Sequence, residues 1–490
     1  MEYTKLSSYR FSKGKFIAPW NEFMSPVDDE MSWVYGRLPE YLWIALVLKK
    51  YGRREGFKRL NPVLHTILEQ TSLQHVRMSD FLLAKEEEKR IVFQAFKNEF
   101  GADCISPLTT IITGDVDSLF ALFFSNQELV EERISVVQNC LRTAMNQHSD
   151  EATDIRYVVL VYSLLCGKLH VMKEQADKVF MYQFLEHSDS EMQIIRPLIR
   201  SCELMILTLE KPNNNYLKRF WSTISEMTEC ELYTMAHVVE NGDTAGYFSA
   251  VKNVFIFLQQ AFVSCNPLDR KMKILLGLAT YSFRRLEEAE THNLYNAISG
   301  RSIVRCMIED YIMMKYLVDI EKDKPSVWED FETYGIGQYK LVLTRHRENN
   351  APRDSHVDPT ILEAIVNEYH YEEFQDMDTR YFDSKNIREK ANQVGEKELY
   401  GLYYDYDSAY EHGLWGAIRE SALLKCDNPA HQYHCIPNVD EDVVLKSVFP
   451  DCVFVLNKTI CFLQTIYGIP DIMMSEIKAY EQSPSDRSDN

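Results

Sequence analysis

Arg301, Arg305 and Glu309 follow one another at four-residue steps in the segment Gly300 to Glu321. On a helix all three project from nearly one face. The remaining positions include Ile303, Met307, Ile308, Ile312, Met313 and Leu317, all apolar. Two readings compete. An i,i+4 ion-pair ladder on a solvated stripe is the commoner use of such spacing. The sharper reading is that a helix so apolar elsewhere is buried on most sides, and its Arg and Glu are then paired polar groups lining a cleft.

A second segment, Lys397 to Leu424, read as one helix, places Tyr404, Ser408 and His412 at i, i+4 and i+8, with Arg419 returning to that face. Ser408 and His412 one turn apart can exchange a hydrogen bond. Their side chains leave the helix in parallel, an awkward geometry for a nucleophile and its base, and no G-x-S-x-G elbow is present, so a hydrolase triad is set aside. His412 is better placed as a general acid/base or orienting group facing Arg305 and Glu309, against the competing reading of a satisfied core histidine. The candidate catalytic residues are therefore Arg305, Glu309, Ser408 and His412. Arg301, Tyr404 and Arg419 are the candidate substrate-binding residues.

Cys426, His431, His434 and Cys435 form the tightest run of soft ligands, Cys-x4-His-x2-His-Cys. The residue types suit zinc, but adjacent His434 and Cys435 rarely point at one ion and no CxxC accompanies them. A polar inter-helix loop is the expectation, zinc the alternative, and neither a metal nor a cofactor is assigned. Arg59…His65 and Arg142…His148 match the Arg-x4–6-His spacing of HEPN-type ribonucleases, a spacing that 13 histidines produce readily by chance. Gly335-Ile336-Gly337 lacks the third glycine and the preceding strand of a phosphate-cradling loop.

The elements that must position these residues are helices. Gly 18 and Pro 16 are few for 490 residues, which disfavours tight hairpins. Apolar positions recur at three- and four-residue steps through Met78 to Phe100, Gln127 to Gln147, Asp150 to Cys166 and Glu191 to Leu209. The apolar run Tyr41 to Leu48 is too short for a bilayer, which needs roughly 20 residues, and reads as a core helix. No fixed-period repeat recurs. The expected fold is all-α, an irregular N-terminal helical array followed by a C-terminal helical bundle. Its expected parts are an extended arm (1–30), an N-terminal helical domain (31–266) ending near Asn266-Pro267, a C-terminal helical domain (267–475) and a disordered tail (476–490). Arg345 to Pro359 reads as a surface loop, and Val453 to Ile466 as strand or helix.

With 73 acidic and 53 basic residues the net charge is −20, a field that repels phosphate backbones and disfavours any extended nucleic-acid-binding surface. The 11 cysteines are scattered, mostly singly in apolar contexts, as reduced thiols of a cytoplasmic protein are. Met1 to Lys15 has no apolar signal region, and no membrane association is expected.

The stretch Gly300-Arg301-Ser302-Ile303-Val304-Arg305-Cys306-Met307-Ile308-Glu309, followed later by Tyr406-x-Ser408-x3-His412-Gly413, resembles a group of uncharacterised bacterial helical proteins. That group is catalogued as a domain of unknown function and is often met in phage-defence gene neighbourhoods. Its Arg-x3-Glu helix and later Ser-x3-His helix look related to HEPN-like bundles, and the likeness spans residues 270–470. The resemblance implies a component of an antiphage or abortive-infection system: a toxin-like effector, a metal-independent ribonuclease in which Arg305 orients phosphate, Glu309 positions it and His412 moves protons. RNA would be its transient substrate. The HEPN Arg-x4–6-His itself is absent from the Ser408 to Arg419 segment. The alternative is a non-catalytic acidic helical scaffold or sensor that forms a homo-oligomer or binds a partner defence protein, with Trp33, Trp43 and the tyrosines from Tyr400 to Tyr410 as packing or interface anchors. A small-molecule or nucleotide enzyme, its pocket lined by the charge stripe, is a third reading.

Overall fold

The computed structural model describes residues 5–19, 32–112, 118–169, 172–207, 213–235, 237, 244–265, 268–348, 355–368, 381–441, 443–478 and 480. The fold is all-α, as the periodicity predicts; the strands are a short hairpin (β1, Arg10–Ser12; β2, Lys15–Ile17) and a small sheet of order β3-β4-β5 (Leu232–Tyr233, Leu423–Cys426, Cys435–Pro437). Among the described residues no helix is long and apolar enough to cross a membrane. Packing divides the chain into two compact units: Met1–Tyr233 with Lys425–Cys435, and Thr234–Leu424 with Ile436–Asn490. The expected break at Asn266-Pro267, much of the arm and residues 481–490 lie outside the described residues.

In unit 1 every residue from Leu38 to Val47 is buried along the helix Leu38–Tyr51, because a helix apolar on nearly all sides must be wrapped on all sides, and the acid in the run, Glu40, accepts from the Ser79 backbone N–H at 2.9 Å. Trp43 stacks on Phe96 at 4.7 Å and meets Phe81 edge-on at 5.8 Å. Its indole N–H donates to Val76 O at 3.0 Å, which satisfies the polar atom this large side chain carries into the core. A buried ionic group lies in the same core: Glu203 is bonded to Arg37 and lies 3.3 Å from Arg156, whose guanidinium sits 3.9 Å over Trp33. The carboxylate is tolerated there because both cations face it.

Unit 2 is built on the helix Ile298–Ile320, which packs against Arg270–Thr291, Phe449–Tyr467 and Asp405–Glu411. A Cβ at Gly300 would lie 2.4 Å from Leu294 O, so the absent side chain is what lets this helix begin against the preceding turn. The ambiguous segment Val453 to Ile466 is helical. It lies within Phe449–Tyr467, where its β-branched residues are mostly buried and packing outweighs their weak helix propensity.

Two expected helices are interrupted. Met78 to Phe100 divides into Met78–Leu83 and Glu86–Phe100. Lys397 to Leu424 divides into a single turn Lys397–Leu399, a π turn Tyr400–Tyr404, the helices Asp405–Glu411 and Trp415–Ser421, and then β4. Gly413 has φ 56°, the left-handed conformation that ends the Asp405 helix. The loop expected from Arg345 begins later than its composition indicates, since the helix Val327–Glu348 runs through Arg345 to Glu348.

Candidate functional site

Arg305, on the Ile298 helix, is half-buried and engaged at each guanidinium nitrogen. Nε donates to Ser408 Oγ at 3.1 Å, Nη2 donates to the Tyr404 hydroxyl at 2.6 Å, and Nη1 stands 3.3 Å from Glu309 Oε2. Tyr404 in turn donates its proton to Glu309 Oε1 at 2.8 Å. Its ring lies 4.6 Å beneath the Arg305 guanidinium, a cation–π contact. Burial, and then the hydrogen bond to Glu309, push the Tyr404 phenol upward. It is therefore neutral, donating to the carboxylate while accepting from the guanidinium. The π turn that carries Tyr404 stacks it on Tyr400 at 4.6 Å, fixing the ring that bridges the two charges.

Glu309 also lines a cleft of about 630 Å³ with Asp310, Met313, Tyr381, Asp383 and Lys390. Burial pushes Asp310 up to about 7, although the Ser282 hydroxyl donates to it at 2.8 Å. Lys390 is 1% exposed. Its ammonium donates to Asp383 Oδ1 at 2.7 Å and to Lys385 O, and Tyr381 and Tyr316 stand 4.6 and 4.9 Å from it. Burial holds this lysine below its usual value, while Asp383 and the aromatic faces keep the cation bearable. Among the described residues Asp383 Oδ2 is buried without a hydrogen-bond partner. The side-by-side carboxylates Glu309 and Asp310 within an apolar segment were a usable signal for this cleft. Lys390 gave none, because a lysine in the polar segment Asn386 to Gln393 reads as a surface residue.

The structure thus brings Arg305, Glu309, Tyr404 and Ser408 together and leaves His412 apart. His412 caps the C-terminus of the Asp405 helix, where its backbone N–H donates to Ser408 O at 3.1 Å. Its side chain is exposed and makes no hydrogen bond or ion pair among the described residues. The i+8 position shares a face with i+4 only while the helix continues, and this one stops at Glu411. Arg301 is buried and held by carbonyls, donating to Lys446 O at 2.6 Å and to Tyr295 O and Ala297 O at 3.3 Å. It anchors backbone rather than facing the cleft. Nearby Asp407 is buried and pushed up to about 7 by that burial, with the Asp451 charge adding to the rise. Arg419 is half-buried on the Trp415 helix.

Neither Arg-x5-His pair is assembled. Arg142 is bonded to Glu231 at 2.7 Å and paired with Asp427 at 3.4 Å, while His148 is bonded to Arg200. Arg59 donates to Glu99 O at 2.8 Å, and His65 is exposed. In unit 1, Cys426, His431 and His434 do come together, but Cys435 is replaced in the group by Cys230, and one donor atom from each of the four lies within 4.8 Å of the others. The local spacing could not reveal Cys230, which is distant in sequence.

Fold and site together define an all-α protein whose second unit holds a partly buried Arg–Tyr–Glu cluster beside a cleft of mixed polar and apolar lining. Residues 273–431 match the model of a family of unknown function, DUF5677, and this span contains all seven candidate residues from Arg301 to Arg419. No curated protein and no solved structure matches the chain.

Proposed function

We propose that the protein is a non-catalytic helical binding protein, a scaffold or sensor acting with a partner in the antiphage setting that the resemblance implies. One observation carries this reading: Arg305 is engaged at every guanidinium nitrogen by Ser408, Tyr404 and Glu309. Three of its five N–H groups are so committed, one on each nitrogen, and a phosphate would have to compete with Ser408, Tyr404 and Glu309 for the guanidinium. His412, the proton shuttle that a metal-independent ribonuclease would need, is exposed past the helix end and, among the described residues, makes no hydrogen bond to the cluster. General acid/base work requires hydrogen-bond reach of the reacting proton.

The same segment offers surface for a partner. Leu414 and Trp415, adjacent in the chain, are 56% and 63% exposed, and a protruding tryptophan is the residue type that most often anchors an interface. Trp33 and Trp43, by contrast, are buried and serve packing.

The test pairs two measurements on the purified chain. Structured and single-stranded RNA should survive incubation with wild type. The double variant Leu414→Ser, Trp415→Ala should lose the complex that wild type forms, with itself or with a co-expressed neighbour, at an unchanged melting temperature. RNA cleavage by wild type that His412→Ala abolishes without loss of stability would overturn the proposal in favour of the effector reading.

A further inference from the structure

Unit 1 contains a constellation that the reading of unit 2 does not use. We propose that Cys230, Cys426, His431 and His434 form a four-coordinate structural zinc site. Cys230 lies two residues before β3, Cys426 ends β4, His431 ends the 3-10 turn Pro429–His431, and His434 directly precedes β5. Cys230 Sγ lies 3.3 Å from His434 Nε2 and 3.4 Å from His431 Nδ1, and Cys426 Sγ lies 3.4 Å from that same Nδ1. Two thiolates and two imidazoles around one zinc, at Zn–S about 2.3 Å and Zn–N about 2.05 Å, have sulfur and nitrogen roughly 3.5 Å apart in a tetrahedron. The observed separations are those of ligands gathered about one ion.

The surroundings of His431 supply an independent argument. Its Nε2 lies 3.2 Å from both Ser225 O and Thr228 O. Carbonyls only accept, so Nε2 carries the proton and Nδ1 presents its lone pair toward the two sulfurs. That is the outer-shell arrangement by which metal-bound imidazoles are oriented.

The backbone between the histidines points the same way. Gln432 and Tyr433 have φ 53° and 56°, consecutive left-handed residues without a glycine. Such a conformation persists where its surroundings over-determine it. Here it folds His434 back on His431, with ring centroids 4.9 Å apart. The loop is further pinned by β3–β4 pairing of Leu232 with Cys426, by Asp427 N–H to Glu231 O at 2.9 Å, and by Asn428 Nδ2 to Glu229 O at 2.7 Å.

Four protein ligands leave no coordination position open, so the role is structural. The two thiols lose their protons to solvent on binding, and the two thiolates with two neutral imidazoles balance the charge of the dication. The ion would tie the segment Lys425–Cys435 to the chain around Cys230, both of which belong to unit 1.

The experiment is metal analysis of the full chain purified without an oligohistidine tag, by mass spectrometry of the metal and by colorimetric release. One zinc per chain is expected, falling several-fold in Cys230→Ser and His434→Ala and unchanged in Cys435→Ser. Cobalt should bind the zinc-stripped chain with the intense visible absorption of a tetrahedral thiolate site, and zinc should displace it. Should the variants fail to fold, chelation of wild type decides: the stripped chain should melt at lower temperature and recover on zinc addition alone. A folded wild-type chain that neither carries nor takes up zinc overturns the proposal. So does a Cys230–Cys426 disulfide in the intact mass of freshly isolated protein, or zinc loss in Cys435→Ser with retention in Cys230→Ser. These outcomes are independent of partner binding by unit 2.

Discussion

The Tyr404 hydroxyl donates to Glu309 Oε1 at 2.8 Å, joining residues on two helices of unit 2 and placing a neutral phenol inside an ion pair. Tyr404→Phe keeps the ring beneath Arg305 but removes the bridge. The expected cost is about 1–3 kcal/mol, because Glu309 loses a donor and Arg305 an acceptor. A lowered melting temperature measured by calorimetry checks this, and an unchanged one would mean that water replaces the hydroxyl freely.

Glycine positions in unit 2 should respond in opposite directions. Gly300→Ala forces a Cβ to within 2.4 Å of a backbone oxygen, and backbone cannot yield as a flexible side chain does. A loss of about 2 kcal/mol or more is expected. At Gly277, within the helix Arg270–Thr291, a Cβ meets none of the described residues within 4 Å. Gly277→Ala should therefore stabilise by about 0.5–1 kcal/mol. Denaturant melts of the two variants side by side give the comparison.

Asp310 gives the stability a pH dependence of known sign. Burial raises its folded pKa to about 7 from an ordinary 3.8, so between these values the folded state holds more protons than the unfolded. Its contribution is fully present below the unfolded pKa and is lost as pH rises through the folded one. Asp310→Asn, which still accepts from Ser282 and bears no charge, should differ little from wild type at pH 4 and melt several degrees higher at pH 8. Melting temperatures across that window test it, and a gap that shrinks with rising pH contradicts it.

Lys390 is buried and paired with the half-buried Asp383, and each depends on the other. Lys390→Ala leaves the carboxylate without its cation and should cost about 3–5 kcal/mol. Adding Asp383→Asn removes the stranded charge and should restore part of the loss. A double-mutant cycle of melting free energies measures that coupling, and additive effects would mean that the two residues act separately.

The sequence by itself determined the fold class and the identity of the polar seam. Apolar positions at helical spacing dictated helices, and four-residue steps put Arg305 and Glu309 on one face, where they pair at 3.3 Å. The first of these is a relation within one continuous turn, and helix geometry alone fixes such relations. Four-residue steps likewise aligned Tyr404 with Ser408 along their own segment, but packing between segments about a hundred residues apart decided that the two meet Arg305 and Glu309.

What only the tertiary structure decided lies where the chain turns or returns. His412 fell outside the cluster because a glycine in the left-handed conformation ends the helix one residue earlier, and periodicity is blind to the end of its own domain of validity. Lys390 is buried because Asp383 and a set of aromatic rings, brought up from other segments, offset the cost of its charge. Cys230 joins Cys426, His431 and His434 because β3 pairs with β4 across a long stretch of chain. Local spacing carries no information about such pairing, since it is the packing free energy of the whole unit that closes the loop.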